Sequence, residues 1–112
     1  MDEIIEISGA VFQDAFLPYN QAEIILETDL EMTPNQEVLV NLGRARAFMR
    51  PEFWSLVTLP EVRGIEITLV DGPLTEVSIL KIVVKNTTGR NLILEALSRI
   101  GTLYMSQRHR VA

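Results

Sequence analysis

Ile65-Glu66-Ile67-Thr68-Leu69-Val70, Asp71-Gly72-Pro73 and Val77-Ser78-Ile79-Leu80-Lys81-Ile82-Val83-Val84 read in succession as strand, turn and strand. β-Branched residues dominate both runs, and Asp-Gly-Pro is strong turn chemistry. Asn86-Thr87-Thr88-Gly89-Arg90 comes next, and behind it Ile93, Leu97, Ile100 and Tyr104 recur at steps of three and four residues. That spacing predicts a helix, and so a ββα unit running from Ile65 to Tyr104.

A second unit of the same kind is expected upstream. Ile4, Ile5, Ile7, Val11 and Phe12 form a strand pattern interrupted at Ser8-Gly9, read as one broken strand or two short ones. Leu17-Pro18-Tyr19-Asn20 is a loop, and Ala22 to Thr28 is a strand. Thr33-Pro34-Asn35-Gln36 carries an N-cap threonine, a proline at the first helical position and a glutamine at the capping-box position. Val38, Leu42, Ala45 and Met49 then fall at helical spacing, up to the break imposed by Pro51. Residues 51–63 are read as a short helical turn and an extended connection, with one strand face (Phe53, Ser55, Val57, Leu59) as the alternative.

An offset of 55 residues lays Pro18 on Pro73, Thr33 on Thr88, Leu42 on Leu97 and Arg44 on Arg99. The order of elements recurs as well, which points to an internal duplication of residues 10–50 and 65–105 within one domain of 112 residues. The expected fold class is therefore α+β: two ββα units forming a four-stranded, mainly antiparallel sheet with two helices packed on one face. Leu80, Ile82 and Val84 would lie under the helices. Val77, Ile79, Lys81, Val83 and Lys85 would form the other face, which is too apolar for a purely solvated surface and is the candidate protein interface.

Composition narrows the partners. Hydrophobic residues make up 47% of the chain and mean hydropathy is +0.19, values that favour self-association or a protein partner in so small a domain. The formal net charge of -5 argues against nonspecific binding to nucleic acid or to an anionic membrane. Charge is also divided: residues 1–43 hold nine acids and no Lys or Arg, for -9, and residues 44–112 sum to +4. Such a chain can pair its own halves, stack head to tail or meet a charged partner. Cysteine is absent, which excludes disulfides and thiolate metal sites. The acidic start Met1-Asp2-Glu3 and strand-sized apolar runs lead to the expectation of a soluble, cytoplasmic protein.

Few residues could carry chemistry. Thr87, Thr88, Gly89 and Arg90 sit where a strand would hand over to a helix, so the helix N-terminus could hold a phosphate or carboxylate; an ordinary N-cap uses the same residues. Arg44, Arg46 and Arg50, joined by Arg90, could contact nucleic acid or an acidic partner, and could also meet Glu27, Asp29 and Glu31. Those three acids alternate and could offer oxygen ligands to Mg²⁺ or Ca²⁺, but no EF-hand-like loop supports a metal site. His109, the single histidine, lies near the terminus, and the serines and Tyr19 and Tyr104 have no partners at catalytic spacing. No cofactor is called for. The reading is a non-enzymatic protein–protein interaction module, regulatory, adaptor or assembly factor, working as a homo-oligomer through the apolar sheet face. The alternatives are a nucleic-acid-binding module and an anionic-ligand site or enzyme at Thr87–Arg90.

Overall fold

The computed structural model describes residues 4–12, 21–44, 54–70 and 79–107. Its elements are all strands: β1 (Ile5–Phe12), β2 (Gln21–Leu26), β3 (Leu30–Met32), β4 (Glu37–Arg44), β5 (Trp54–Pro60), β6 (Ile65–Leu69), β7 (Ile79–Asn86), β8 (Leu92–Leu94) and β9 (Arg99–Gln107). Seven form one sheet in the order β5-β9-β2-β1-β4-β7-β6, and β3 pairs with β8 in a separate ribbon. The outermost strands β5 and β6 meet, with the Thr58 hydroxyl donating to the Ile67 carbonyl at 3.2 Å, so the sheet nearly closes into a barrel. The α+β expectation is overturned. Among the described residues there is no helix, and hence none long and apolar enough to cross a membrane.

Both expected helices fail for identifiable reasons. Thr33-Pro34-Asn35-Gln36 is a tight turn: Gln36 N–H donates to Thr33 O at 3.1 Å and Asn35 takes φ +62°. Proline at the second turn position and a left-handed asparagine at the third are the requirements of a type II turn. Gln36 Oε1 does accept from Thr33 N–H at 2.9 Å, so the capping-box contact forms and closes a turn instead of a helix. Beyond it Val38, Val40 and Leu42 are all buried, a period of two. Two β-branched valines on the inward face settle the matter for strand.

Downstream, the expected helix through Ile93, Leu97, Ile100 and Tyr104 is divided between β8, a turn at Leu97 and β9. Gly101, which a helix would carry at a cost of about 1 kcal/mol relative to alanine, is needed in the strand. A Cβ there would come within 2.6 Å of Ile67 Cδ1 and 2.8 Å of Leu59 O. The short helical turn read at residues 51–63 is also overturned, because Trp54–Pro60 is an extended strand paired with β9.

Strands β6 and β7 pair antiparallel as read, with Ile65 opposite Asn86 and Leu69 opposite Ile82, while the Asp71-Gly72-Pro73 turn and Val77-Ser78 lie outside the described residues. Residues Ile5–Ser8 of β1 run parallel to β4, while Gly9–Phe12 run antiparallel to β2. The strand is continuous. Its change of partner falls at Gly9, where a Cβ would lie 2.7 Å from both Ile25 O and Val40 Cγ1. Glycine here permits close approach of strands.

Inside the barrel Ile24, Leu26, Val38, Val40, Leu80, Ile82, Val84 and Leu103 are at most 2% exposed. Each contributes about 1.5–3 kcal/mol from burial. Met32, Leu30 and Leu94, brought in by the β3–β8 ribbon, join the same core and cap one end.

All but one of the strand pairings that do not involve β5 obey an exchange, the parallel β1–β4 pair having no counterpart. Replacing β1–β4 by β6–β9 and the reverse maps β1–β2 onto β6–β7, β2–β9 onto β7–β4 and β3–β8 onto itself, with β5 as the additional strand. Equivalent positions in β3 and β8 are 62 residues apart, as are the two left-handed residues Asn35 and Leu97. Each donates its N–H to the last residue of a strand in the other half: Asn35 to Asn86 O at 3.1 Å, Leu97 to Leu26 O at 3.0 Å. The 55-residue offset does not align these elements.

Candidate functional site

β7 places Ile79, Lys81, Val83 and Lys85 on the outer wall of the barrel, while Val77 lies outside the described residues. No helix layer lies beneath that wall; Leu80, Ile82 and Val84 face the barrel interior. Cross-strand register sets the neighbours of the outward residues. Lys85 stands between Glu37 and Glu66, and Val83 between Leu39 and Thr68. Lys81 Nζ meets Glu6 Oε1 at 3.1 Å, and Asn41 Nδ2 lies 3.5 Å from the same oxygen. The flank β4–β7–β6 is thus a set of charge ladders around a half-buried Leu39–Val83 pair, with Ile79 exposed at its edge.

The opposite flank has a different chemistry. Register places Phe12, Glu23, Thr102 and Leu59 in one outward row across β1, β2, β9 and β5. The adjoining row carries Gln21, Tyr104 and Val57. Phe12 is 53%, Val57 52% and Leu59 49% exposed. Between them Arg99 Nη1 pairs with Glu23 Oε1 at 3.5 Å. Thr102 is covered on this side, donating its hydroxyl to Glu61 Oε1 at 2.7 Å.

The Thr87–Arg90 segment is a turn into β8, so the helix N-terminus on which its anion reading depended does not exist. Three of its backbone donors are engaged within the chain. Thr87 N–H donates to Gly64 O at 2.8 Å, Thr88 N–H to Asn86 Oδ1 at 2.9 Å and Arg90 N–H to Thr88 Oγ1 at 3.2 Å. The buried Asn86 amide donates in turn to Met32 O, Thr33 O and Arg90 O, at 3.3, 3.0 and 2.7 Å. Asn86 thereby ties β7 to both halves of the cap. Sequence reading placed it at the head of a strand-to-helix junction; the signal it missed was a polar residue in phase with Leu80, Ile82 and Val84.

The arginines do not converge. Arg44 pairs with Ile79 at one end of β7, and Arg90 follows Asn86 at the other, about 23 Å away along an eight-residue strand. Arg46, Arg50 and His109 lie outside the described residues. Asp29 uses a carboxylate oxygen to cap Ala96 N–H at 2.7 Å, and the described residues hold no group of three or more acids or histidines arranged for a metal. Comparison with family models, curated proteins and solved structures produced no match, so function must be argued from this chain's own surface.

Proposed function

We propose that the protein is a non-enzymatic interaction module that pairs with a second copy of itself through the outer flank β1–β2–β9–β5. The observation that carries this reading is the half-exposure of Phe12, Val57 and Leu59 on one wall of a small barrel. Apolar side chains grouped in this way lose unfavourable contact with water when a second surface covers them. The Glu23–Arg99 pair among them makes the flank self-complementary, since a twofold axis brings each acid toward the other copy's base. The Ile79–Lys85 face, by contrast, carries one ion pair, Lys81–Glu6, and has Lys85 in register with Glu37 and Glu66.

Light scattering tests the proposal. The expected mass at high salt is that of a dimer at micromolar concentration, falling to a monomer when Leu59 is replaced by Asp. A strictly monomeric wild type at high micromolar concentration contradicts it. Arg99→Glu, which sets like charges against each other across the axis, is expected to weaken pairing, and Glu23→Arg in the same chain to restore it.

A further inference from the structure

One end of the barrel is capped by the β3–β8 ribbon and carries Ile93 at 64% and Leu97 at 75% exposure, the two most exposed large apolar side chains among the described residues. Acids surround them. Ile93 stands opposite Glu31 in the ribbon, Leu97 N–H bonds the carbonyl next to Glu27, and Glu95 and Asp29 meet at the same turn. Arg63 and Arg90 lie in connections at this end and Arg99 opens β9, where Glu23 holds it. Leu97 adopts φ +63° where its counterpart in the other half is the more tolerant Asn35.

The other end is where β4 stops at Arg44 and β5 starts at Trp54. The chain leaving β4 reads Arg44-Ala45-Arg46-Ala47-Phe48-Met49-Arg50: three bases, two large apolar residues and no acid. It is the chemical complement of the capped end.

We propose that the Arg44–Arg50 segment of one copy seats on Ile93, Leu97 and the Glu27–Glu31–Glu95 rim of the next, so that barrels stack head to tail. We assign the contact to two copies because the segment's backbone falls short of its own cap. Residues 45–53 leave and return to the same end, which limits their excursion to about 17 Å. β4 alone separates the two ends by about 23 Å. This contact is heterologous and propagates into a chain or ring, whereas flank pairing is twofold and closes. It stands on different residues from the flank proposal and survives that proposal's failure.

The experiment is sedimentation velocity of the full chain at low salt (about 20 mM) and high salt (about 500 mM), where screening separates charged from apolar contacts. Two variants are compared with the wild type: Arg44→Gln/Arg46→Gln/Arg50→Gln, and Glu27→Gln/Glu31→Gln/Glu95→Gln, which leaves Asp29 to hold Ala96. The wild type is expected to form species larger than a dimer at low salt and to lose them at high salt. Each variant alone should lose them at low salt. An equimolar mixture should regain one contact per pair of molecules, because one variant keeps its acidic cap and the other its arginines. A synthetic peptide of residues 43–51 should bind the wild type and the arginine variant at low salt, and the glutamate variant at least tenfold more weakly. A low-salt wild type no larger than a dimer, large species that persist in either variant, a mixture that behaves as its separate parts, or a peptide that binds all three proteins equally would each overturn the proposal. Circular dichroism of both variants guards against misfolding as the cause, and the peptide titration of the wild type decides the matter if either fails to fold.

Discussion

The two flanks of the barrel are built on the same interior and differ in what they show to water. On β4–β7–β6 the outward positions include Glu37, Leu39, Asn41, Lys81, Val83, Lys85, Glu66 and Thr68, mostly charged or polar and laddered across strands, with the exposed Ile79 at the end of β7. On β1–β2–β9–β5 they include Phe12, Ile25, Tyr104, Val57 and Leu59, with one ion pair among them. The difference teaches a division of labour. The first flank satisfies itself, so its substitutions should register in stability; the second leaves apolar area uncovered, so its substitutions should register in association.

The largest expected effect lies at the end of the charged flank. Asn86→Ala removes the amide that holds three carbonyls and the oxygen that receives Thr88 N–H. Urea unfolding should show a loss of about 3 kcal/mol or more; a loss below 1 kcal/mol would remove Asn86 from its central place. Next in size is Gly101→Ala, whose methyl meets Leu59 O and Ile67 Cδ1. About 1–3 kcal/mol is expected, measured by the same unfolding, and it should leave the outer surface unchanged. Leu97→Gly sharpens the comparison between the halves by relieving a left-handed leucine, with a gain of about 1 kcal/mol in thermal unfolding. The smallest effect belongs to the exposed ladder. Lys81→Gln, which breaks the 3.1 Å pair with Glu6, should cost no more than about 1 kcal/mol and leave the mass in solution unchanged.

What could be read from the sequence was local. The strands at Ile65 and Ile79, their antiparallel pairing and the inward set Leu80, Ile82, Val84 follow from alternation and β-branching, and the structure shows them. Two segments misled for one physical reason. Thr33-Pro34-Asn35-Gln36 supplies hydrogen bonds that serve a type II turn as well as a helix N-terminus. Val38, Leu42, Ala45 and Met49 fit a helix only if the buried Val40 is passed over. Short apolar runs fit both periods, and long-range pairing decides between them. The parallel β1–β4 contact, the intercalation of β5 and the β3–β8 cap join residues far apart in the chain, so no window of sequence contains them. The candidate surface was concealed for the same reason. Phe12, Val57 and Leu59 come onto one wall only through β2 and β9, whereas the Ile79–Lys85 face lies within one strand and was visible at once.

Two double variants, run side by side through a dilution series in the ultracentrifuge at high salt, test the flank comparison most directly. Phe12→Asp/Leu59→Asp places two charges on the apolar flank and Ile79→Asp/Val83→Asp places two on the laddered one. The account expects the first to sediment as a monomer throughout and the second to dimerise as the wild type does. A dimer that survives in the first variant, or dissociates in the second, contradicts it.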